Sequence, residues 1–203
     1  MSTWAARLAC LLALTAGCSD PSSAAGVETH SKSWVGAVDG SDIAVGIVFA
    51  KQQAVLFFCG GDDSYRVATH WFSGALTEGA PFSLSDASWS VNGEQQQGVL
   101  TGTVANAGEL RNFTANPVIP GTLAGVYDAR SPCGHVGLIV RQDSPSDEPA
   151  AQGTCLRSIA GEVVVEQVNP VMPLARDAEL GIQVTVPATN EQITVHPLAP
   201  AAG

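Results

Sequence analysis

The cysteines are the residues of this sequence with the widest chemical scope, and there are five: Cys10, Cys18, Cys59, Cys133 and Cys155. Cys133 stands just before the apolar segment GHVGLIV, and Cys155 follows the polar segment QDSPSDEPAAQG. A β-hairpin over these segments would bring the two cysteines side by side, so we predict a Cys133–Cys155 disulfide. Closing this loop would add roughly 3 kcal/mol to the free energy of unfolding. A bridge from Cys59 to one of them, with the other left free, is the alternative.

Cys59 ends the apolar run AVLFFC, which favours a buried thiol at the end of a strand. A nucleophilic role would need a histidine placed beside it by the fold, and the sequence offers no such pairing. The best set of titratable groups that an enzyme could use here is Asp62, Asp63 and His70, and its pattern matches no catalytic motif. We therefore expect a protein that is not an enzyme.

The sequence has four histidines: His30, His70, His135 and His196. None of them shows the paired spacing of a zinc site. The segments DGSD (residues 39–42) and GGDDS (residues 60–64) could place carboxylates at neighbouring barrel rims, where calcium takes oxygen ligands. Turns prefer Asp and Gly for conformational reasons, and this explanation is favoured. We expect no metal and no cofactor.

Aromatic side chains offer the best candidate for a ligand contact. Trp71 lies beside Phe72 in a predicted strand, where successive side chains point to opposite faces. If one ring is inside, the other is outside. Aromatic rings bind sugars or peptides by stacking, so the exposed ring, taken as Trp71, is the expected contact.

β-Strands must position these residues, because apolar alternation runs almost throughout the chain. Ile43, Val45 and Ile47 alternate with smaller residues, and the run AVLFF follows after the turn AKQQ, which predicts a hairpin. Similar pairs are predicted within GVLTGTVANAGELRNFTA, between LAGVYDA and HVGLIVRQ, and over residues 182–195. This spacing indicates an all-β fold, an antiparallel meander forming a small barrel or sandwich with an appended C-terminal β-hairpin.

The N-terminal segment has the length of a signal peptide. Arg7 precedes an apolar stretch over residues 8–14, which is too short to span a bilayer. Small residues then lead to Cys18, and this arrangement resembles the lipobox of bacterial lipoproteins, whose cysteine receives a diacylglyceryl group. The resemblance implies a signal peptide over residues 1–17 and lipidation of Cys18. An ordinary secretory signal cleaved near Ala16 or Gly17 is the alternative, and it would give a secreted protein.

Residues 18–33 are polar and small, so they are expected to form a flexible tether between the lipid and the folded part. Ser19 follows the cysteine where some inner-membrane lipoproteins carry Asp, and by this resemblance the outer membrane is favoured. Without residues 1–17, whose only charged residue is Arg7, the formal net charge changes from −10 to −11. No cluster of cations is present, so nucleic acid is not an expected partner.

The succession FFCGGDD, WFSGAL, GVLTGTV, FTA, AGVYDA and GHVGLIVRQ resembles a group of uncharacterised secreted or lipid-anchored bacterial β-proteins. The resemblance covers residues 34–157 and implies a small β-barrel or sandwich core outside the cytoplasm, without an assigned activity. Residues 158–203 lie outside that pattern and are expected to form a C-terminal β-hairpin region of the same domain.

Two classes of function follow. The first is a non-enzymatic binding or interaction module of the cell envelope, which captures a small ligand, binds an envelope protein or inhibits an enzyme. It predicts an exposed aromatic cluster or an apolar cavity open at one rim. The second is a structural envelope lipoprotein with a closed core and no pocket.

Overall fold

The computed structural model of the protein describes residues 32–50 and 52–198. These residues form fourteen strands, all paired antiparallel, and no helix. The predicted all-β class is therefore confirmed. Nothing in this part of the chain is a helix long and apolar enough to cross a membrane.

The first eight strands follow one another around a nearly closed barrel. They are β1 (Lys32–Val38), β2 (Ala44–Ala50), β3 (Gln53–Cys59), β4 (His70–Ala75), β5 (Phe82–Asp86), β6 (Trp89–Gln96), β7 (Val99–Asn106) and β8 (Glu109–Pro117). The last strand returns to the first, since Trp34 pairs with Pro117 and Val38 with Phe113. β4 and β5 are the two edges of this sheet and contact each other without forming a ladder.

The remaining six strands close a second, smaller barrel. They are β9 (Gly125–Ser131), β10 (Gly134–Arg141), β11 (Ala150–Ile159), β12 (Glu162–Pro170), β13 (Ile182–Val186) and β14 (Glu191–Pro197). Pairing of His196 with Asp128 joins the last strand to the first. Both barrels are antiparallel meanders. The sequence predicted a meander, but one barrel or sandwich with an appended hairpin rather than two barrels.

The predicted hairpins are present with the expected partners. Ile47 on β2 pairs with Leu56 on β3, and Leu138 on β10 pairs with Tyr127 on β9. β7 pairs with β8, and β13 pairs with β14. In each case one face of the pair is apolar and turns toward a barrel interior, which fixes the register because a slip by one residue would expose that face.

The chain divides at a different point from the expected boundary at residue 158. Residues 118–124 link the barrels, and β11 continues past residue 157 into its pairing with β12, where Leu156 faces Val165. The C-terminal region therefore supplies three strands, β12 to β14, and closes the second barrel rather than standing beside a finished core. β9 to β11 alone would leave the apolar inner face of the second barrel open to water. At the other end, Lys32 and Ser33, expected in the tether, begin β1.

Residues 32–50 and 52–198 form three apolar clusters. One fills the first barrel and includes Phe58, Phe72 and Phe113, and a second fills the other barrel. The third lies between the barrels, where the outer faces of β1 to β3 meet those of β9 and β10. Glycine allows this close approach, because a Cβ on Gly46 would lie 2.4 Å from Val126 Cγ2.

The predicted disulfide is formed. Cys133 and Cys155 are bonded, with their Cα atoms 6.2 Å apart, and both lie in the core of the second barrel. The β10–β11 hairpin brings them together, since Cys155 pairs with Val136 close to the start of β10. Cys59 is a free thiol in the cluster between the barrels.

Candidate functional site

A cavity of about 740 Å³ opens at one end of the first barrel. Three segments surround it: the β1–β2 turn, the β3–β4 loop (residues 60–69), and the adjoining ends of β6, β7 and β8. Its wall contains both apolar and polar side chains. The apolar residues are Ile43, Val67, Ala68, Trp89 and Val104, and the polar ones include Asp42, Asp63, Ser64, Asn106, Glu109 and Arg111.

Aromatic packing closes the barrel below this mouth. The ring of Phe58 meets those of Phe72 and Phe113 edge to face, with centroids 6.0 and 5.7 Å apart. These rings fill the middle of the barrel, as side chains do in barrels of this strand number. The cavity is therefore a site at the mouth and does not continue as a channel.

The β3–β4 loop crosses the mouth and is held at both ends. Within it, the backbone N–H groups of Val67 and Ala68 donate to the carbonyl of Ser64. On the far side, Asn106 Nδ2 donates to the carbonyl of Val67 at 2.8 Å. Gly60 allows the loop to fold back, because a Cβ there would lie 2.6 Å from the Tyr65 Cα. These contacts place Val67, whose surface is 70% exposed, at the wall of the cavity.

Asp42 joins the two acidic segments considered for calcium. Its carboxylate accepts a hydrogen bond from the Asp63 N–H at 2.9 Å and another from the Ser64 hydroxyl. Burial raises the pKa of Asp42, but these hydrogen bonds outweigh it and bring the pKa below its usual value. The carboxylate thus acts as an acceptor that fixes the loop. Within the described ranges, no group of three or more His, Cys, Asp or Glu side chains could hold a metal ion.

The opposite side of the mouth carries the cation Arg111. Arg111 forms an ion pair with Glu109 and donates through Nη1 to the Gly40 carbonyl at 3.1 Å. Both residues lie at the start of β8, and the contact to Gly40 ties that strand to the β1–β2 turn. The guanidinium is therefore already engaged by a carboxylate and a carbonyl oxygen.

Trp89 enters the cavity wall from the start of β6. Its ring stacks on His70 with centroids 5.0 Å apart and planes within 7°. His70 Nε2 lies 3.5 Å from Asp86. Burial lowers the pKa of His70, and the charge of Asp86 opposes this effect only in part, so the neutral imidazole is favoured.

Asp62, Asp63 and His70, the residues considered for an enzyme, contact different partners. His70 faces Asp86, whereas Asp62 accepts a hydrogen bond from Gln167 of the second barrel at 2.7 Å. Asp63 lies at the cavity wall and bonds Asp42 through its backbone. Burial raises the pKa of the Cys59 thiol to about 12, which keeps it protonated and a poor nucleophile.

Trp71 has the orientation expected from alternation, since Phe72 is buried inside the first barrel and Trp71 points outward. Its ring is nevertheless only partly exposed. It lies between the ring of Phe57 on its own barrel and the ring of His135 on the second barrel. The ring centroids are 4.0 Å and 4.5 Å from that of Trp71. Much of the ring is thus used in the contact between barrels, away from the cavity.

Other sequence predictions fall outside the described residues. These are the signal peptide, the lipidation site Cys18, His30 and most of the tether. The position of the cavity was not predicted from the sequence. A cavity open at one rim is nevertheless the feature expected of a binding module. The sequence feature that could have indicated the cavity is Val67, an apolar residue within a loop rich in Gly, Asp and Ser.

Comparison with known proteins assigns this chain to no family. No protein-family model matches the chain, and neither curated proteins nor solved structures give a match. The cavity and its residues are therefore the basis for inferring the function of the protein.

Proposed function

We propose that the protein is a non-enzymatic binding module of the bacterial cell envelope, anchored through a lipid on Cys18, which captures a small amphipathic ligand at the mouth of the first barrel. The single observation that carries the binding function is the cavity of about 740 Å³. Small-molecule sites have volumes of roughly 300–1,000 Å³ and occur in the mouths of β-barrels.

The composition of the wall supports the same function. An apolar ligand group would cover Val67 and Trp89 and remove their exposed surfaces from water. A polar ligand group would remain near Asn106 and the carboxylates of the rim. A structural lipoprotein would have no need of an apolar mouth, and this favours the binding function over that alternative.

Binding is tested with N-phenyl-1-naphthylamine, an uncharged dye whose fluorescence rises in apolar surroundings. We expect saturable binding of one dye per chain. Val67→Gln should weaken it about tenfold, because the lost apolar contact is worth roughly 1.4 kcal/mol. Absence of saturable binding would overturn the proposed ligand site.

The second barrel offers a matched control for this substitution. Val163 is 69% exposed, against 70% for Val67, and lies at the start of β12 outside the cavity. Val163→Gln should leave dye binding unchanged. Equal weakening by both substitutions would mean that the dye binds nonspecifically to apolar surface.

The anchor is tested by intact mass of protein extracted from the membrane fraction of a bacterial host. A chain that begins at Cys18 and carries acyl groups is expected, and Cys18→Ala should abolish both the lipid and membrane association. A lipid-free soluble chain starting elsewhere would refute the anchor and leave the ligand site to be judged separately.

A further inference from the structure

The cavity wall carries an excess of negative charge. Asp42, Asp63 and Glu109 supply three carboxylates, and Arg111 supplies the only cation among the wall residues that the structure describes. The formal charge of the wall is therefore −2. A ligand that enters the mouth must place its own polar group among these carboxylates.

The cation of the rim, Arg111, is already paired with a carboxylate. Arg111 already pairs with Glu109 and donates to the Gly40 carbonyl. An anionic ligand would have to share the guanidinium with Glu109 or remain unpaired beside Asp42 and Asp63. Either arrangement is less favourable than binding of a cation, because like charges at short distance repel, although water screens these exposed carboxylates.

Two hydrogen-bond donors stabilise the ionised form of Asp42. The N–H of Asp63 and the hydroxyl of Ser64 both donate to it, and such donors stabilise the ionised carboxylate. Protonation of Asp42 would weaken the hydrogen bonds that hold the β3–β4 loop over the mouth. The negative potential of the site is thus linked to the conformation of its wall.

We propose that the ligand of this cavity is a small organic cation with an apolar body. This inference rests on the proposed function and adds the charge of the ligand to it. The cationic group lies between Asp42 and Asp63, and the apolar body covers Val67 and the wall formed by Val104. Trp89 adds an aromatic group, which attracts organic cations through its ring quadrupole.

The net charge of the whole chain also favours a cationic ligand. Its formal net charge is −10, so the long-range field attracts cations toward the surface and repels anions. That attraction is nonspecific and is screened over about 8–10 Å at physiological salt. Discrimination measured at that ionic strength therefore reports mainly on the wall itself.

The test uses ligands that share a naphthylmethyl body and carry opposite charges. (1-Naphthylmethyl)trimethylammonium and 1-naphthaleneacetate are titrated against protein with bound N-phenyl-1-naphthylamine, and displacement gives the affinity of each. We expect the cation to bind at least tenfold more tightly than the anion. Equal affinities, or tighter binding of the anion, would overturn the inference.

The uncharged dye separates this inference from the proposed function. If the dye binds in the cavity and the cation does not exceed the anion, the charge assignment alone is wrong. If the dye shows no saturable binding, the proposed ligand site itself is wrong.

Asp63→Asn localises the effect, because the backbone N–H that bonds Asp42 is retained. We expect it to weaken cation binding about three- to tenfold, which corresponds to one nearby charge at the protein surface. Asp143→Asn removes the same charge from an exposed position in the β10–β11 loop of the second barrel. An equal effect of both substitutions would show that net charge, rather than the cavity wall, selects the cation.

Discussion

Trp71 stacks on His135 across the boundary between the two barrels, with ring centroids 4.5 Å apart and planes within 17°. The ring of Phe57 stacks on Trp71 at 4.0 Å and 12°. Offset aromatic pairs contribute about 0.5–1.5 kcal/mol beyond the area they bury. The three rings therefore tie β3 and β4 to β10 and help to fix the arrangement of the barrels.

Gly137 should be intolerant of any side chain, because it makes room for these rings. A Cβ there would lie 2.4 Å from Trp71 Cζ2 and 2.6 Å from Phe57 Cε1. We expect Gly137→Ala to lower the free energy of unfolding by about 1–3 kcal/mol, the usual cost of overpacking. Urea denaturation followed by circular dichroism measures this change.

A double-mutant cycle identifies the neighbour responsible. In a Trp71→Leu background the added methyl group meets less obstruction, so Gly137→Ala should cost less than in the native chain. Strictly additive effects would show that the penalty does not arise from Trp71.

Removal of the disulfide should destabilise the second barrel. We expect the double substitution Cys133→Ala and Cys155→Ala to lower the free energy of unfolding by about 3 kcal/mol, because the unfolded chain regains the freedom of a closed loop. Dithiothreitol should produce a similar loss in the native chain. Cys59→Ala should keep this response to the reductant, and its disappearance would contradict the assigned bridge.

The sequence predicts local pairing well and distant pairing poorly. Alternation at Val45 and Ile47, and the polar turn after them, suffice for the β2–β3 hairpin, because the partners are adjacent in the chain. The Cys133–Cys155 bridge was found for the same reason. Closure of the first barrel instead requires Val38 to meet Phe113, and no local pattern contains that pairing.

The site shows the same limit. Alternation predicted that Trp71 and Phe72 point to opposite faces, but it could not show that a second barrel covers Trp71. The acidic segments around Asp42 and Asp63 were recognised as neighbouring rim turns. The cavity also needs the ends of β6 and β8, which reach these turns only because the sheet curves into a barrel.

Gln152 should control the order of the cavity wall from the second barrel. Its Nε2 donates to the Asp42 carbonyl at 3.0 Å and to the Cys59 carbonyl. We expect Gln152→Ala to cost about 1–2 kcal/mol for the two lost hydrogen bonds. Hydrogen exchange of the Asp63 and Ser64 amides should accelerate. Gln192→Ala, at an exposed position on β14, should leave these amides unchanged, and unaltered exchange in the Gln152 variant would refute the link.

His70 should make the first barrel less stable in mild acid. Its pKa is lowered in the folded state by burial, with Asp86 opposing in part, whereas the unfolded chain has the ordinary value of about 6.5. Between the two values the unfolded state binds more protons, so the free energy of unfolding rises with pH. The stability contributed by neutral His70 is therefore present above about pH 6.5 and is lost as the pH falls toward the folded-state pKa.

Denaturant unfolding at several pH values between 5 and 8 measures this loss. His70→Gln removes the titrating group, so the free energy of unfolding should then depend less on pH over that window. His196→Gln, at an exposed position near the end of β14, should retain the pH dependence of the native chain. The window lies above the range in which Asp42 protonates, since the pKa of that carboxyl is lowered from 3.8. A pH dependence that survives His70→Gln and disappears with His196→Gln would assign the titration to the second barrel instead.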